Sequence, residues 1–208
     1  MTSPPPRLIL GSTSRYRREL LTRLRLPFEV EAPGVDETPR PGEAPAALAQ
    51  RLALEKARAV AARHPQDVVI GSDQVADLAG EPVGKPGDHA RAVAQLQRMS
   101  GQRVVFQTAL AVVRQDTGFE AVDLAAVSVT FRTLSDAEIE TYLRLDEPYD
   151  CAGSARSESL GVALLSAIDS DDPTALVGLP RIRTCALLRA AGLDPLDAAG
   201  RCAGRRAG

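Results

Sequence analysis

The apolar positions of this chain switch repeatedly between strand-like and helix-like spacing. Residues 8–10 form an apolar run that stops at Gly11; Ser12, Thr13 and Ser14 follow, and Arg15, Arg17 and Arg18 then fall on the opening turn of a helix with Ser14 as its cap. A short strand is expected at 28–30, then a proline-stiffened loop over 32–45 that carries Asp36 and Glu37. From 46 to 63 the period is helical, with Leu48, Leu52, Ala53 and Val60 on one stripe. The next strand, 67–70, runs into Gly71-Ser72-Asp73-Gln74, which reads as a turn before a short apolar segment at 75–78 and a second turn at 79–82.

The second half follows the same logic. Gly84-Lys85-Pro86 is a short connection, and Asp88 caps an amphipathic helix over 88–99. Two long β-type segments, 103–113 and 121–131, flank Gln115-Asp116-Thr117-Gly118, a hairpin signal. Ser135 with Glu138 forms a capping box for a helix that runs to residue 145. A Gly/Ser-rich segment at 151–161 leads into an apolar stretch at 162–168, and a last helix is expected over 180–191. Early strand–helix alternation followed by a hairpin predicts an α/β fold with a mixed, strongly twisted sheet flanked by helices, in one domain with two lobes around a cleft. That domain is expected over 7–195, with an N-terminal extension at 1–6 and a flexible C-terminal tail at 196–208.

Composition narrows the possible partners. At 208 residues with 44% hydrophobic positions the chain can bury one ordinary core. A formal net charge of −2 removes the bulk electrostatics of a nucleic-acid polymer binder, so basic groups that matter must be focused on a small anion. Aromatics at 3% also leave few stacking platforms for a single strand and make Tyr16 conspicuous. Cys151, Cys185 and Cys202 form neither a close pair nor a metal-ligand spacing. No apolar run is long enough for a membrane span and the first residues do not read as a signal peptide, so a cytoplasmic protein with no membrane partner is expected. His64, before Pro65, and His89 read as structural or surface residues.

The candidate chemistry sits at the ends of the early elements. A strand that ends at a glycine and feeds a helix N-terminus presents unpaired backbone N–H groups to an anion, and Ser12 and Arg17 add donors suited to phosphate. Asp73 would face a cleft at the carboxyl end of a strand, and a carboxylate there with one from the 36–37 loop could hold a single Mg²⁺ or Mn²⁺. Lys56, on a helix among Ala, Leu and Arg, reads by itself as a solvated face residue. Lys85, between glycine and proline, sits on backbone that can approach a ligand closely.

Six motifs in register carry a resemblance. Ser12-x-Ser-x-x-Arg17-Arg-x-Leu-Leu, Val35-Asp36-Glu37, Glu55-Lys56-Ala57, Gly71-Ser72-Asp73-Gln74-Val75, Gly84-Lys85-Pro86 and Cys151-Ala-Gly-Ser resemble the Maf family of nucleoside triphosphate pyrophosphatases, from about Arg7 to Pro195. The resemblance implies a Maf/ITPase-like domain that hydrolyses the α–β phosphate bond of a nucleoside triphosphate with a divalent metal cation, releasing diphosphate. It implies that Asp73 is the proton acceptor, that Ser12, Arg17, Lys56 and Lys85 line the phosphate site, that Glu37 joins Asp73 at the metal, and that the chain forms a homodimer.

Tyr16, Gln74 and Glu158 point to one branch. They resemble the aromatic residue, Gln and Glu of the 7-methyl-GTP branch, often called YceF-type, whereas the dTTP/UTP branch tends to have Arg, Thr and Gln. The physical logic agrees: 7-methylguanine is cationic, so an aromatic face attracts it, and a carboxylate offsets its charge while accepting from its N–H groups. Tyr16 stands where Trp is usual and Ser159 where Gly is usual. Arg15 and Arg18 take no role in this reading and are expected to be solvated. The expected activity is therefore conversion of 7-methyl-GTP to 7-methyl-GMP and diphosphate, removing modified nucleotides. The alternatives are a dTTP/UTP pyrophosphatase and a nucleotide-binding regulator of septum formation.

Overall fold

Strand–helix alternation in the first third of the chain builds a short parallel unit, and the long hairpin extends it. In the structure, a computed structural model that describes residues 6–197, β1 (Leu8–Leu10) lies between β2 (Glu29–Val30) and β3 (Val68–Leu78), parallel to both. β4 (Glu81–Val83), β5 (Arg103–Arg114), β6 (Phe119–Phe131) and β7 (Leu165–Asp169) add only antiparallel pairs. The sheet order is β2-β1-β3-β5-β6-β7, with β4 also on β3, which is the mixed α/β sheet the pattern predicts. Residues 1–5 and 198–208, which hold most of the expected extension and tail together with Cys202, lie outside the described residues.

Helices cover both faces. α2 (Pro45–Ala61) lays Leu48, Leu52, Ala53, Ala57 and Val60 against Val69, Val75 and Ala111. The opposite face of the same strands packs Leu20 and Leu21 of α1 (Arg15–Thr22) and Leu188 of α5 (Arg181–Ala190). α3 (His89–Met99) and α4 (Asp136–Asp146) close a third cluster around Phe106, Val127, Val129 and Phe131, at the far ends of β5 and β6. The caps follow the expected chemistry: Ser14 accepts from the Arg17 N–H, Asp88 from that of Arg91, and Ser135 with Glu138 completes the capping box.

One expectation is corrected, and it matters for the site. Residues 71–74 are not a turn; β3 runs through them without a break, and Asp73 lies in mid-strand opposite Ala109. Gly71 is a glycine for another reason. A Cβ there would stand 2.2 Å from the Ala53 carbonyl oxygen and 2.6 Å from the Ala57 nitrogen, so its absence lets α2 lie directly on the strand. The chain reverses later, at Ala79-Gly80, and Glu81 and Pro82 already belong to β4.

Both histidines are structural, as expected. His64 pairs with Glu31 at 2.5 Å, and His89 bridges Tyr149 and Glu140 at 3.0 Å each.

Candidate active site

The period of a strand decides who meets whom around Asp73. On β3, Val69, Gly71, Asp73 and Val75 share the face covered by α2, while Ile70, Ser72 and Gln74 share the other. Lys56 stands four residues after Leu52 on the covered stripe of α2, so its side chain runs along the sheet to Asp73. Its Nζ donates to Asp73 Oδ1 at 2.7 Å and lies 2.7 Å from Glu37 Oε1. Lys56 is 4% exposed and Asp73 7%. The solvated position that Lys56 suggests when read alone is therefore wrong, because the stripe on which it lies faces the sheet.

Glu37 and Asp36 part company in the loop. Asp36 turns back to accept from the Thr38 N–H at 3.0 Å and its hydroxyl at 2.7 Å, leaving Glu37 to reach the lysine. Burial acts to raise the Glu37 carboxyl, but the Lys56 hydrogen bond and the charges of Lys56, Lys85 and Arg17 outweigh it and hold the group below its ordinary value. Arg51 fixes this loop from α2, pairing with Glu43 at 2.6 Å and donating to the Thr38 carbonyl at 3.2 Å.

The other face of β3 faces the 172–178 segment, whose carbonyls no side-chain motif announces. Gly178, at φ +119°, presents its oxygen to Arg17 Nε at 2.9 Å and to the Ser72 hydroxyl at 3.3 Å. Arg17 also donates to Ser12 Oγ at 3.3 Å. Burial lowers the Arg17 pKa, and the charges of Asp73 and Glu37 act against that fall. Gln74 Nε2 donates to Thr108 Oγ1 and to the Ala175 and Leu176 carbonyls at 2.9–3.0 Å, which orients the amide. The fully buried Asp172 holds the segment in shape, accepting from the Thr174 hydroxyl and from the Arg183 N–H at the start of α5.

The predicted site residues line one cleft of about 890 Å³. Ser12, Arg17, Lys56, Asp73 and Lys85 are on its wall with Glu37, and so are Tyr16, Gln74 and Glu158. Lys85 makes no hydrogen bond or ion pair among the described residues. Glu158 is exposed to the open cleft, yet enough protein rings its carboxyl that burial raises its pKa. Ser159 has φ −128° and donates to Asp146 Oδ1 at 2.5 Å, so the serine takes this place without the left-handed backbone that would require glycine.

Around Tyr16 the structure adds residues that the sequence left unassigned. Arg15 is exposed, as expected, but it also engages Tyr16: its guanidinium carbon is 4.8 Å from the Tyr16 ring centroid and its Nη2 donates to the Tyr16 hydroxyl at 2.6 Å. Arg156 stands 5.7 Å from the same centroid. Burial pushes the Tyr16 phenol up to about 12, against the Arg15 hydrogen bond, which lowers it. Among the described residues, no group of three or more His, Cys, Asp or Glu side chains converges in the manner of a closed metal cage, and no helix is long and apolar enough to cross a membrane.

A mixed α/β sheet with cations and two carboxylates gathered beside the middle of its central strand defines a protein built to hold a small polyanion. The family model described as Maf-like protein matches residues 7–191, and the chain belongs to the Maf family. A relative from Polaromonas sp. (strain JS666 / ATCC BAA-500) is 70% identical over 192 residues, covering 92% of this chain and 87% of its own, and is named 7-methyl-GTP pyrophosphatase. Relatives with the same name are 67% identical in Albidiferax ferrireducens (95% of this chain, 100% of that one) and 59% identical in Bordetella pertussis (94% and 98%). Among solved structures, the Staphylococcus aureus Ham1 protein aligns more distantly, at a TM-score of 0.44 and 16% identity over 61% of this chain and 72% of that one.

Proposed function

We propose that this chain is a nucleoside triphosphate pyrophosphatase that cleaves the α–β linkage of 7-methyl-GTP, giving 7-methyl-GMP and diphosphate. The observation that carries the reading is the buried Lys56 ammonium, which gathers Asp73 and Glu37 at one end of a cleft whose wall also includes Tyr16, Gln74 and Glu158. The relatives' shared name supports the choice of nucleotide.

The residues then divide by role. Ser12, Arg17, Lys56 and Lys85 bind the phosphates, and their cations offset charge that builds on the departing diphosphate. Asp73 orients the attacking water and takes its proton as the water oxygen bonds to phosphorus; the bridging P–O bond breaks and its electron pair leaves on diphosphate. Lys56 engages only Oδ1 of Asp73, which leaves Oδ2 for the water. Tyr16 offers a face to the cationic base, and Glu158 accepts from its N–H groups while compensating its charge.

A divalent cation fits the donor set. Asp73 and Glu37 already converge on one cation, the lysine, and hard divalent ions take one or two carboxylates plus phosphate oxygens. Lys56, Arg17 and Lys85 against two carboxylates do not neutralise a tetra-anionic triphosphate, and Mg²⁺ or Mn²⁺ held by Glu37 and Asp73 would supply the missing charge. Assembly as a homodimer and a cytoplasmic location belong to the same proposal and rest on family membership.

Diphosphate release from 7-methyl-GTP, GTP, dTTP and UTP in Mg²⁺ and in Mn²⁺ tests the proposal. 7-Methyl-GTP is expected to be the best substrate. A preference for dTTP or UTP would overturn the assignment of Tyr16, Gln74 and Glu158, and binding without turnover would favour a regulator.

A further inference from the structure

The Tyr16 ring holds a planar cation of this chain's own. Arg15 lies over it at 4.8 Å, and the same Nη2 that donates to the Tyr16 hydroxyl stands 3.6 Å from Asp150 Oδ2. Arg15, Tyr16 and Asp150 all line the large cleft together with Glu158. A guanidinium and a 7-methylguanine have the same recognition chemistry: positive charge spread over a flat N–C–N system, with N–H donors at its edge. One ring face and one carboxylate therefore hold the kind of group that the substrate would bring.

The two partners of that cation are not held equally with it. The Arg15 side chain is 61% exposed, and nothing but Tyr16 and Asp150 restrains its head among the described residues. Asp150 and Tyr16 have a second support. Arg156 Nη2 lies 3.7 Å from Asp150 Oδ1, its guanidinium is near the Tyr16 ring, its side chain is only 16% exposed, and its backbone N–H donates to the buried Tyr142 hydroxyl at 2.9 Å. Tyr16 and Asp150 therefore each have a contact that does not depend on Arg15.

Resting on the reading of Tyr16 and Glu158 as the base end of the cleft, we propose that Asp150 is a further base-recognising residue and that Arg15 is its placeholder. The cationic base takes the position over Tyr16 and beside Asp150 that the Arg15 guanidinium holds in this structure.

The test compares kcat/KM for 7-methyl-GTP and GTP in Asp150→Asn, Arg15→Ala and, as a reference, Glu158→Gln. Asp150→Asn keeps the shape of an exposed side chain and removes its charge. It is expected to lower the ratio of 7-methyl-GTP to GTP efficiency about tenfold, through KM rather than kcat. Arg15→Ala removes both a competitor and a like charge, and is expected to lower KM for 7-methyl-GTP about threefold. An unchanged ratio in Asp150→Asn, a parallel fall for both nucleotides, or a KM that rises in Arg15→Ala would overturn the proposal. If Glu158→Gln lowers the ratio and Asp150→Asn does not, the Asp150 assignment alone fails. If the parent does not prefer 7-methyl-GTP, or Glu158→Gln leaves its preference intact, the reading of the base end fails and this inference with it.

Discussion

Lys56 Nζ stands 2.7 Å from Asp73 Oδ1, joining a helix to the middle of the central strand through two side chains that are both almost out of solvent. A buried charge is tolerable only with its partner, so structure and chemistry depend on the same contact.

Lys56→Met should therefore damage both. It leaves the Asp73 carboxylate buried without its hydrogen-bonded cation, for an expected loss of about 3 kcal/mol in urea unfolding. Diphosphate release should fall at least about 100-fold, because a phosphate ligand is lost and the carboxylates are no longer held together. A variant of parental stability with activity within tenfold would contradict the pairing.

Asp73→Asn separates binding from chemistry. The amide keeps the shape of the carboxylate and an oxygen for Lys56, so nucleotide binding measured by calorimetry is expected to persist. Hydrolysis should drop by about 100- to 10,000-fold with the loss of the proton acceptor. Substantial turnover in the asparagine variant would remove Asp73 from that role.

The Glu158 carboxyl should give substrate recognition a pH dependence. Its pKa is raised by burial, so its ionised form is disfavoured relative to that of an ordinary glutamate. The sign for stability follows: the group contributes fully when protonated, and stability falls as pH rises from its unfolded value through its folded one. For binding the sign is opposite, since the cationic base needs the carboxylate. KM for 7-methyl-GTP is expected to rise as pH falls through this raised value, and Glu158→Gln should flatten that limb. An acid limb of KM that survives the substitution would assign it to another group.

Gly71→Ala tests why the strand is continuous. A Cβ would stand 2.2 Å from the Ala53 carbonyl oxygen, which is backbone and cannot swing aside. Destabilisation of about 3 kcal/mol or more is expected in thermal and urea unfolding, with activity lost alongside it as Lys56 is pushed away from Asp73. A turn at this position would instead tolerate alanine with little change.

Tyr16→Arg places a third guanidinium beside Arg15 and Arg156. Like charge at the base end should lower the preference for 7-methyl-GTP over GTP, read as the ratio of kcat/KM. An unchanged ratio would remove Tyr16 from base recognition.

Much of this protein is local, and local features can be read without coordinates. The caps at Ser14, Asp88 and Ser135, the hairpin around Gly118 and the stripe of α2 depend on residues a few positions apart, where spacing and turn chemistry act directly. The family, and with it the residue types of the site, was also legible, because six short motifs in a fixed order survive as text.

Four things only the tertiary structure decided. Gly71 reads as punctuation until α2 is laid over it, and then it is the contact that lets a strand continue. Lys56 reads as solvated until the alternation of β3 turns Asp73 toward the same face. The support for Arg17 and Gln74 comes from backbone carbonyls of Ala175, Leu176 and Gly178, more than 100 residues away in the chain, and the clasp of Arg15 on Tyr16 and Asp150 joins the first helix to a distant loop. Sequence spacing fixes which face of an element a side chain takes; what stands opposite that face depends on how the elements pack, and every backbone carbonyl looks alike in a sequence.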